Sequence, residues 1–299
     1  MARANGKVIL LGEHAVVYGV PAIAAGIDRG VEAVAERAEN ATVVIGDRSA
    51  QVGDGSELGS AYAALLRALG APALSARATL QIPAGSGLGA SAALGVALAR
   101  AALAALAEAD DPSRVLAAAA AWEGIYHGNP SGVDAAAAAN DGCILFEKGK
   151  GSEPVALFED LVLAIGLAGP PASTKSMVEG VARLRERRPT VVEKALEGIR
   201  ALVKNAKLCL EAGDHIGLGS LMNYNQMLLS GLFVSTEGIE RCCALARDAG
   251  ALGAKLTGAG GGGAVIALCD RDFEPILAAW AKEGIAGFGT HVRARRVIT

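Results

Sequence analysis

The chain has 299 residues, 52% hydrophobic and 20% charged, which is enough apolar material for a sizeable core and unlike the composition of a disordered chain. Its 28 Lys and Arg stand against 31 Asp and Glu, a net charge of -3 that argues against nucleic acid or an anionic membrane as a partner. Five cysteines, an odd number without CxxC or metal-type spacing, argue against a disulfide framework or a zinc cluster and for buried thiols in a reducing compartment.

Read from the start, Lys7 to Leu11 is a short apolar run expected to form a buried strand. Its apolar part, from Val8, is far too short for a signal segment or a membrane span, so a cytoplasmic protein is expected. The runs Ala22–Ile27, Val31–Glu36 and Thr42–Ile45, separated by turn formers, read as antiparallel strands. A turn at Asp54–Ser56 opens a helix to Leu69, with Leu58, Tyr62, Leu65, Leu66 and Leu69 on one face. Arg77–Ile82 alternates as a strand, then a glycine-rich turn leads into a long Ala/Leu helix. Asp110 to Ser113 ends that helix and starts another, running to about His127, and a break at 128–134 re-caps a short alanine-rich helix. Gly142–Glu147 and Leu161–Leu167 read as strands, and Gly169-Pro170-Pro171 is the strongest boundary signal. Helices follow at about 174–188, 190–212, 214–229 and 236–249, then strands 253–257 and 264–269, a helix near 272–283 and a final strand pair. Strands, helices, a break, helices and strands again give an α+β fold in two lobes, divided as 1–168 and 169–299. Its core should be built from small residues, since the apolar content leans on alanine and glycine.

Several segments can carry chemistry. The loop Pro83 to Ser91, Pro-Ala-Gly-Ser-Gly-Leu-Gly-Ala-Ser, offers glycines that let backbone approach an anion and a helix N-terminus with free N–H groups; it can also be a plain strand-to-helix turn. Gly85-x-Gly87-x-x-Ala90 matches the relaxed dinucleotide fingerprint, but no second strand ending in an acidic residue follows, and no Lys-Ser/Thr completes a Walker loop. A second glycine run, Gly258 to Gly263, joins two strands and is either a tight turn or a ligand contact. Glu13 and His14 follow the first strand; on an extended segment their side chains would point opposite ways, so one can face a pocket. Glu123 and His127 are spaced as a helix salt bridge. Asp134 stands three residues after Ser131, as in a capping box. Phosphoryl transfer to an alcohol needs a metal bridging phosphates, a cation at the developing charge and a carboxylate near the hydroxyl, and Lys7, Glu123 and Asp134 are residues of those types.

Taken together, the segments GKVILLGEHAVVYGVPAIA, IPAGSGLGASAAL, HGNPSGVD and KLTGAGGGGAVIAL resemble, in order, the motifs of the GHMP kinase family, and within it the mevalonate-phosphorylating branch. The resemblance spans both lobes. It implies a two-lobed GHMP fold with an N-terminal ribosomal-protein-like lobe and a C-terminal ferredoxin-like lobe. It implies transfer of the ATP γ-phosphate to the primary hydroxyl of (R)-mevalonate, with Mg²⁺, in isoprenoid biosynthesis. By that resemblance Asp134 is the general base and Lys7 lies beside it. Gly85, Ser86, Gly87, Leu88, Gly89, Ala90 and Ser91 wrap the ATP phosphates, and Ser91 and Glu123 hold the metal. Glu13, His14 and Thr174 lie at the acceptor, and a homodimer is a common assembly of such enzymes. Where the family usually carries two serines, this chain has Ala90 and Ser91, so one hydroxyl to the phosphates is lost. The alternatives are another small alcohol (the 3-hydroxyl of mevalonate, homoserine, a sugar) or a non-catalytic sensor. Ala15-Val16-Val17-Tyr18, poor in hydrogen-bonding groups, disfavours a sugar, and Asp134 disfavours homoserine.

Overall fold

The computed structural model describes residues 1–127 and 132–294. Ser131 of the expected capping box lies outside them, as does the side chain of His127. The chain divides into two compact units, each discontinuous in sequence: residues 1–7, 29–84 and 89–140, and residues 8–28, 85–88 and 141–299. This division differs from a single boundary at 168/169, because β1 (Ala2–Leu11) and β2 (Ala22–Arg37) each run from one unit into the other.

In the first unit, β2 pairs antiparallel with β5 (Leu74–Leu80), and β5 runs parallel to β3 (Thr42–Ile45), which forms a hairpin with β4 (Arg48–Gln51). Four helices accompany these strands: α1 (Glu57–Leu69), α2 (Ala90–Ala105), α3 (Pro112–His127) and α4 (Val133–Ala139). Ser56 caps α1 by accepting from the Gly59 N–H at 3.0 Å, and Gly70 closes it in the left-handed conformation. Tyr62 and Trp122 are the large members of a core otherwise dominated by alanine and leucine, as the composition implies. The strand expected to break between Ile27 and Val31 is continuous. Gly30 is a site of close backbone approach, since a Cβ there would lie 1.9 Å from the Ala4 carbonyl oxygen.

The second unit takes the first half of β2, which pairs with β6 (Cys143–Glu147), itself paired with β7 (Gly151–Val155). Beyond these come β8 (Leu161–Leu167), the helices α5 (Thr174–Arg187), α6 (Pro189–Ala212), α7 (His215–Gly231) and α8 (Glu237–Asp248), then β9 (Gly253–Leu256), β10 (Ala264–Cys269), α9 (Glu274–Lys282) and β11 (Gly287–Val292). The sheet order β11-β8-β10-β9, antiparallel throughout, with α8 and α9 as crossovers, is a ferredoxin-like β-α-β-β-α-β unit, and α5 to α7 are inserted after its first strand. Of the expected final strand pair, β11 lies among the described residues, and residues 295–299 lie outside them. No helix among them is long and apolar enough to cross a membrane.

One polar tie holds β11 to the end of the early chain. Asp28 accepts from the Thr290 hydroxyl and lies 3.5 Å from His291 Nδ1. Burial alone would raise the Asp28 carboxyl, but bonds from Thr290 and His291 outweigh it and hold the group below its ordinary value of 3.8. A depressed carboxyl pKa contributes stability above the unfolded value, and that stability is lost as pH falls through the folded one. Asp28→Asn should therefore cost roughly 1 kcal/mol near neutral pH, a figure reduced for its partial exposure, and progressively less below about pH 4, read as the change in denaturant midpoint against pH.

Candidate active site

In the first unit, Lys7 lies on β1 with its side chain only 3% exposed, and its Nζ is 3.1 Å from Asp134 Oδ1, whose side chain is 39% exposed. A buried ammonium thus meets a carboxylate that a ligand can reach. Asp134 is the second residue of α4, and Gly132, in the left-handed conformation, is the N-cap without a side-chain bond. The capping-box expectation is corrected here: the helix starts one residue too late for Asp134 to be its third residue. The stem of Lys7 packs against Gly89, where a Cβ would fall 2.5 Å from Lys7 Cγ and the backbone is left-handed at φ 73°. Gly89→Ala should displace Lys7 and lower kcat on the order of 10²-fold, the usual effect of misplacing a reacting group by about 1 Å; steady-state kinetics beside a thermal melt would check it.

Glu123, on α3, is 4% exposed. Burial pushes its carboxyl up to about 8; the Asp134 charge adds to the shift and Lys7 opposes it. A group of this kind is kept neutral until a cation reaches it. Ser91 is the second residue of α2, and its Oγ is buried with no hydrogen-bond partner among the described residues. Between β5 and α2 the chain alternates left-handed glycines (Gly85, Gly87 and Gly89 at φ 73°, 87° and 73°) with the buried Ser86 and Leu88. Ala90 begins α2, without a capping side chain at its N-terminus. Residues 85–88 group with the second unit and Gly89 onward with the first.

In the second unit, β1 ends at Leu11, and Gly12, at φ 108°, turns the chain into a 3₁₀ turn over Ala15–Tyr18. The segment is therefore not extended, and Glu13 and His14 do not split between a pocket and solvent: both are buried. The Glu13 carboxylate meets Lys255 Nζ through Oε1 and accepts from Asn225 Nδ2 through Oε2 at 3.0 Å. His14 adopts φ 60°, uncommon for a residue with a side chain, and its Nε2 is 2.8 Å from the Ala259 carbonyl oxygen. Ala259 belongs to the Gly258–Gly263 hairpin joining β9 and β10, as its spacing implies. Thr257 binds this hairpin to β1, its Oγ1 accepting from the Ile9 N–H at 2.8 Å. Thr174, the first residue of α5, is exposed.

No local pattern in the sequence marks Lys255, Asn225 or Thr257 as part of this cluster. A lysine inside the apolar run of a buried strand signals only that such a charge requires a partner.

Two family models match this chain: "GHMP kinases N terminal domain" over residues 57–142 and "GHMP kinases C terminal" over 199–286. The chain belongs to the GHMP kinase family. Among its relatives, a mevalonate kinase of Thermococcus gammatolerans is 36% identical over 297 residues, covering 90% of this chain and 88% of the relative. One of Methanothermobacter thermautotrophicus is 36% identical over 287 residues, with 93% of each chain covered. The crystal structure of L. major mevalonate kinase in complex with R-mevalonate superposes with a TM-score of 0.89 at 30% identity, covering 98% of this chain and 95% of that one.

Proposed function

We propose that this chain is an ATP-dependent mevalonate kinase, transferring the γ-phosphoryl group to the primary hydroxyl of (R)-mevalonate to give ADP and 5-phosphomevalonate. The observation that carries the reading is the pair of buried Lys7 with accessible Asp134, within a family of kinases whose similar members act on this alcohol. In the reaction the hydroxyl oxygen forms a bond to the γ-phosphorus while the bond to the β–γ bridging oxygen breaks. Asp134 accepts the hydroxyl proton, and Lys7 holds the carboxylate in place and offsets the charge that builds on the transferred group. The glycine loop and the N-terminal N–H groups of α2 favour phosphate at Gly85–Ser91. His14 and Thr174 serve the acceptor side. Glu13 belongs to the same segment as His14, although its carboxylate is already engaged by Lys255 and Asn225.

Mg²⁺ fits the residues present. Ser91 Oγ is a buried oxygen without a partner among the described residues, and Glu123 is a desolvated carboxyl whose charge a cation would restore. Among the described residues no group of three or more His, Cys, Asp and Glu could hold a metal, so these two would share the ion with the nucleotide phosphates. When bound, the ion neutralises charge on those phosphates.

The test is ADP release with Mg-ATP across a panel of small alcohols, followed by phosphorus NMR of the product. Mevalonate should give the highest kcat/KM, with phosphate on the primary carbon. The turn Ala15–Tyr18, with Ala15 and Val16 buried, offers little to bind the ring hydroxyls of a sugar. Phosphate on the tertiary oxygen, or a higher kcat/KM for galactose or homoserine, would overturn the substrate while leaving the kinase class intact.

A further inference from the structure

Within the second unit a fully buried ion pair stands beside the strained residue His14. Lys255 and Glu13 have side chains 0% exposed, and the three ammonium hydrogens of Lys255 have three acceptors in Glu13 Oε1 and the carbonyls of Ile9 and Leu256. The other Glu13 oxygen accepts from Asn225 Nδ2. A carboxylate only accepts, so this bond fixes the Asn225 amide orientation, and it leaves Asn225 Oδ1 buried with no partner among the described residues. Each partner is anchored elsewhere: Asn225 on α7 and Lys255 on β9, beside Thr257, which ties the same strand to Ile9. One residue on, His14 bonds through Nε2 to Ala259 O. A carbonyl also only accepts, so Nε2 carries the hydrogen. Burial depresses the His14 pKa, which keeps the ring neutral and Nδ1 an acceptor.

We propose that Lys255 and Asn225 are positioning residues that clamp the Glu13 carboxylate, so that His14 is held with Nε2–H on the Ala259 carbonyl and Nδ1 available to accept a hydrogen bond from the alcohol substrate. Glu13 then acts through His14 and does not itself touch the acceptor. Charge balance at this buried site, rather than the Glu13 carboxylate as a ligand, governs acceptor binding. The proposal rests on reading the chain as a kinase of a small alcohol.

The experiment is a double-mutant cycle over Lys255→Met and Glu13→Gln, read by kcat/KM for mevalonate, KM for ATP, melting temperature and nitrogen-15 NMR of the chain's four histidines. Lys255→Met leaves a buried carboxylate unpaired. It should lower acceptor kcat/KM at least about tenfold, mix the His14 tautomers and leave the ATP KM within about twofold. The double variant, neutral at both positions, should recover most of the acceptor kcat/KM and the Nε2–H tautomer. A double variant that regains its melting temperature but not its acceptor kcat/KM would overturn the proposal, because Glu13 would then be touching the alcohol. So would an unchanged His14 tautomer in Lys255→Met. Should that variant fail to fold, Asn225→Ala trims the other arm of the clamp. A raised acceptor KM with mixed tautomers supports the proposal there, and wild-type values refute it. Wild-type inactivity towards every alcohol would count against the kinase reading alone, since the NMR arm needs no substrate.

Discussion

Asp134→Asn should lower kcat by roughly 10² to 10⁴-fold, the span usual for a general acid or base, with little change in the KM for ATP. Asparagine keeps the shape of the side chain and an oxygen that can accept from Lys7 Nζ, so the ion pair becomes a neutral hydrogen bond rather than a vacancy. It cannot take up the hydroxyl proton. Because the Asp134 side chain is 39% exposed, solvent softens the loss of its charge, and the melting temperature should move by only a few degrees. Rapid-quench measurement of the chemical step separates a loss of chemistry from slowed product release. Turnover within a few fold of wild type would remove Asp134 from the reaction and leave it as a first-turn carboxylate that favours the N-terminus of α4.

Glu123→Gln should raise the Mg²⁺ concentration needed for half-maximal rate and cut kcat/KM at limiting Mg²⁺ by about 10² to 10³-fold, as expected when several kcal/mol of metal stabilisation is weakened. The fold should hardly notice. With its carboxyl pushed up to about 8, Glu123 is largely protonated at pH 7 without a cation, and glutamine is a close mimic of that neutral form. Ser91→Ala should act in the same direction with a smaller effect, since it removes an oxygen that has no partner among the described residues. If both serve one ion, the double variant will fall short of the product of the single losses. Mg²⁺-dependent thermal shifts with a non-hydrolysable ATP analogue give a second readout, and strictly multiplicative losses would argue for separate roles.

The helices and the glycine hairpin were legible because their signals are local. The period of α1, the turn at Asp54–Ser56 that opens it and the spacing of strand, glycines and strand at 253–269 need no partner to be read. β4 and β7 leave little trace in the sequence because four or five largely exposed residues at a sheet edge carry little hydrophobic alternation. The continuity of β2 through Gly30 is hidden in the sequence because a glycine that accommodates a neighbouring strand looks like one that makes a turn. The family resemblance named the candidate residues, but no spacing could bring Lys7 to Asp134 across 127 positions (134 less 7). The clamp on Glu13 was invisible for the same reason, its members lying at 225 and 255.

The second unit's reliance on residues 8–28 also bears on how the chain is made. Ile9 waits for Thr257, 248 positions away, and Asp28 for Thr290, 262 positions away. At roughly 5–20 residues per second on the ribosome, that delay is about 12–50 s, during which these two ties are missing, although Ala22–Ala25 can pair with β6 once Phe146 has been made. The first unit's residues have all been made by Asn140, so helices around Trp122 can pack while the rest is still being synthesised. Such long-range closure slows folding and leaves Val8–Leu11 without its tie to the glycine hairpin until late in synthesis. Nascent chains stalled between about 150 and 250 residues should accordingly be captured by holdase chaperones, and a stretch of ribosomal pausing near residue 140 would help the first unit form before its neighbour begins.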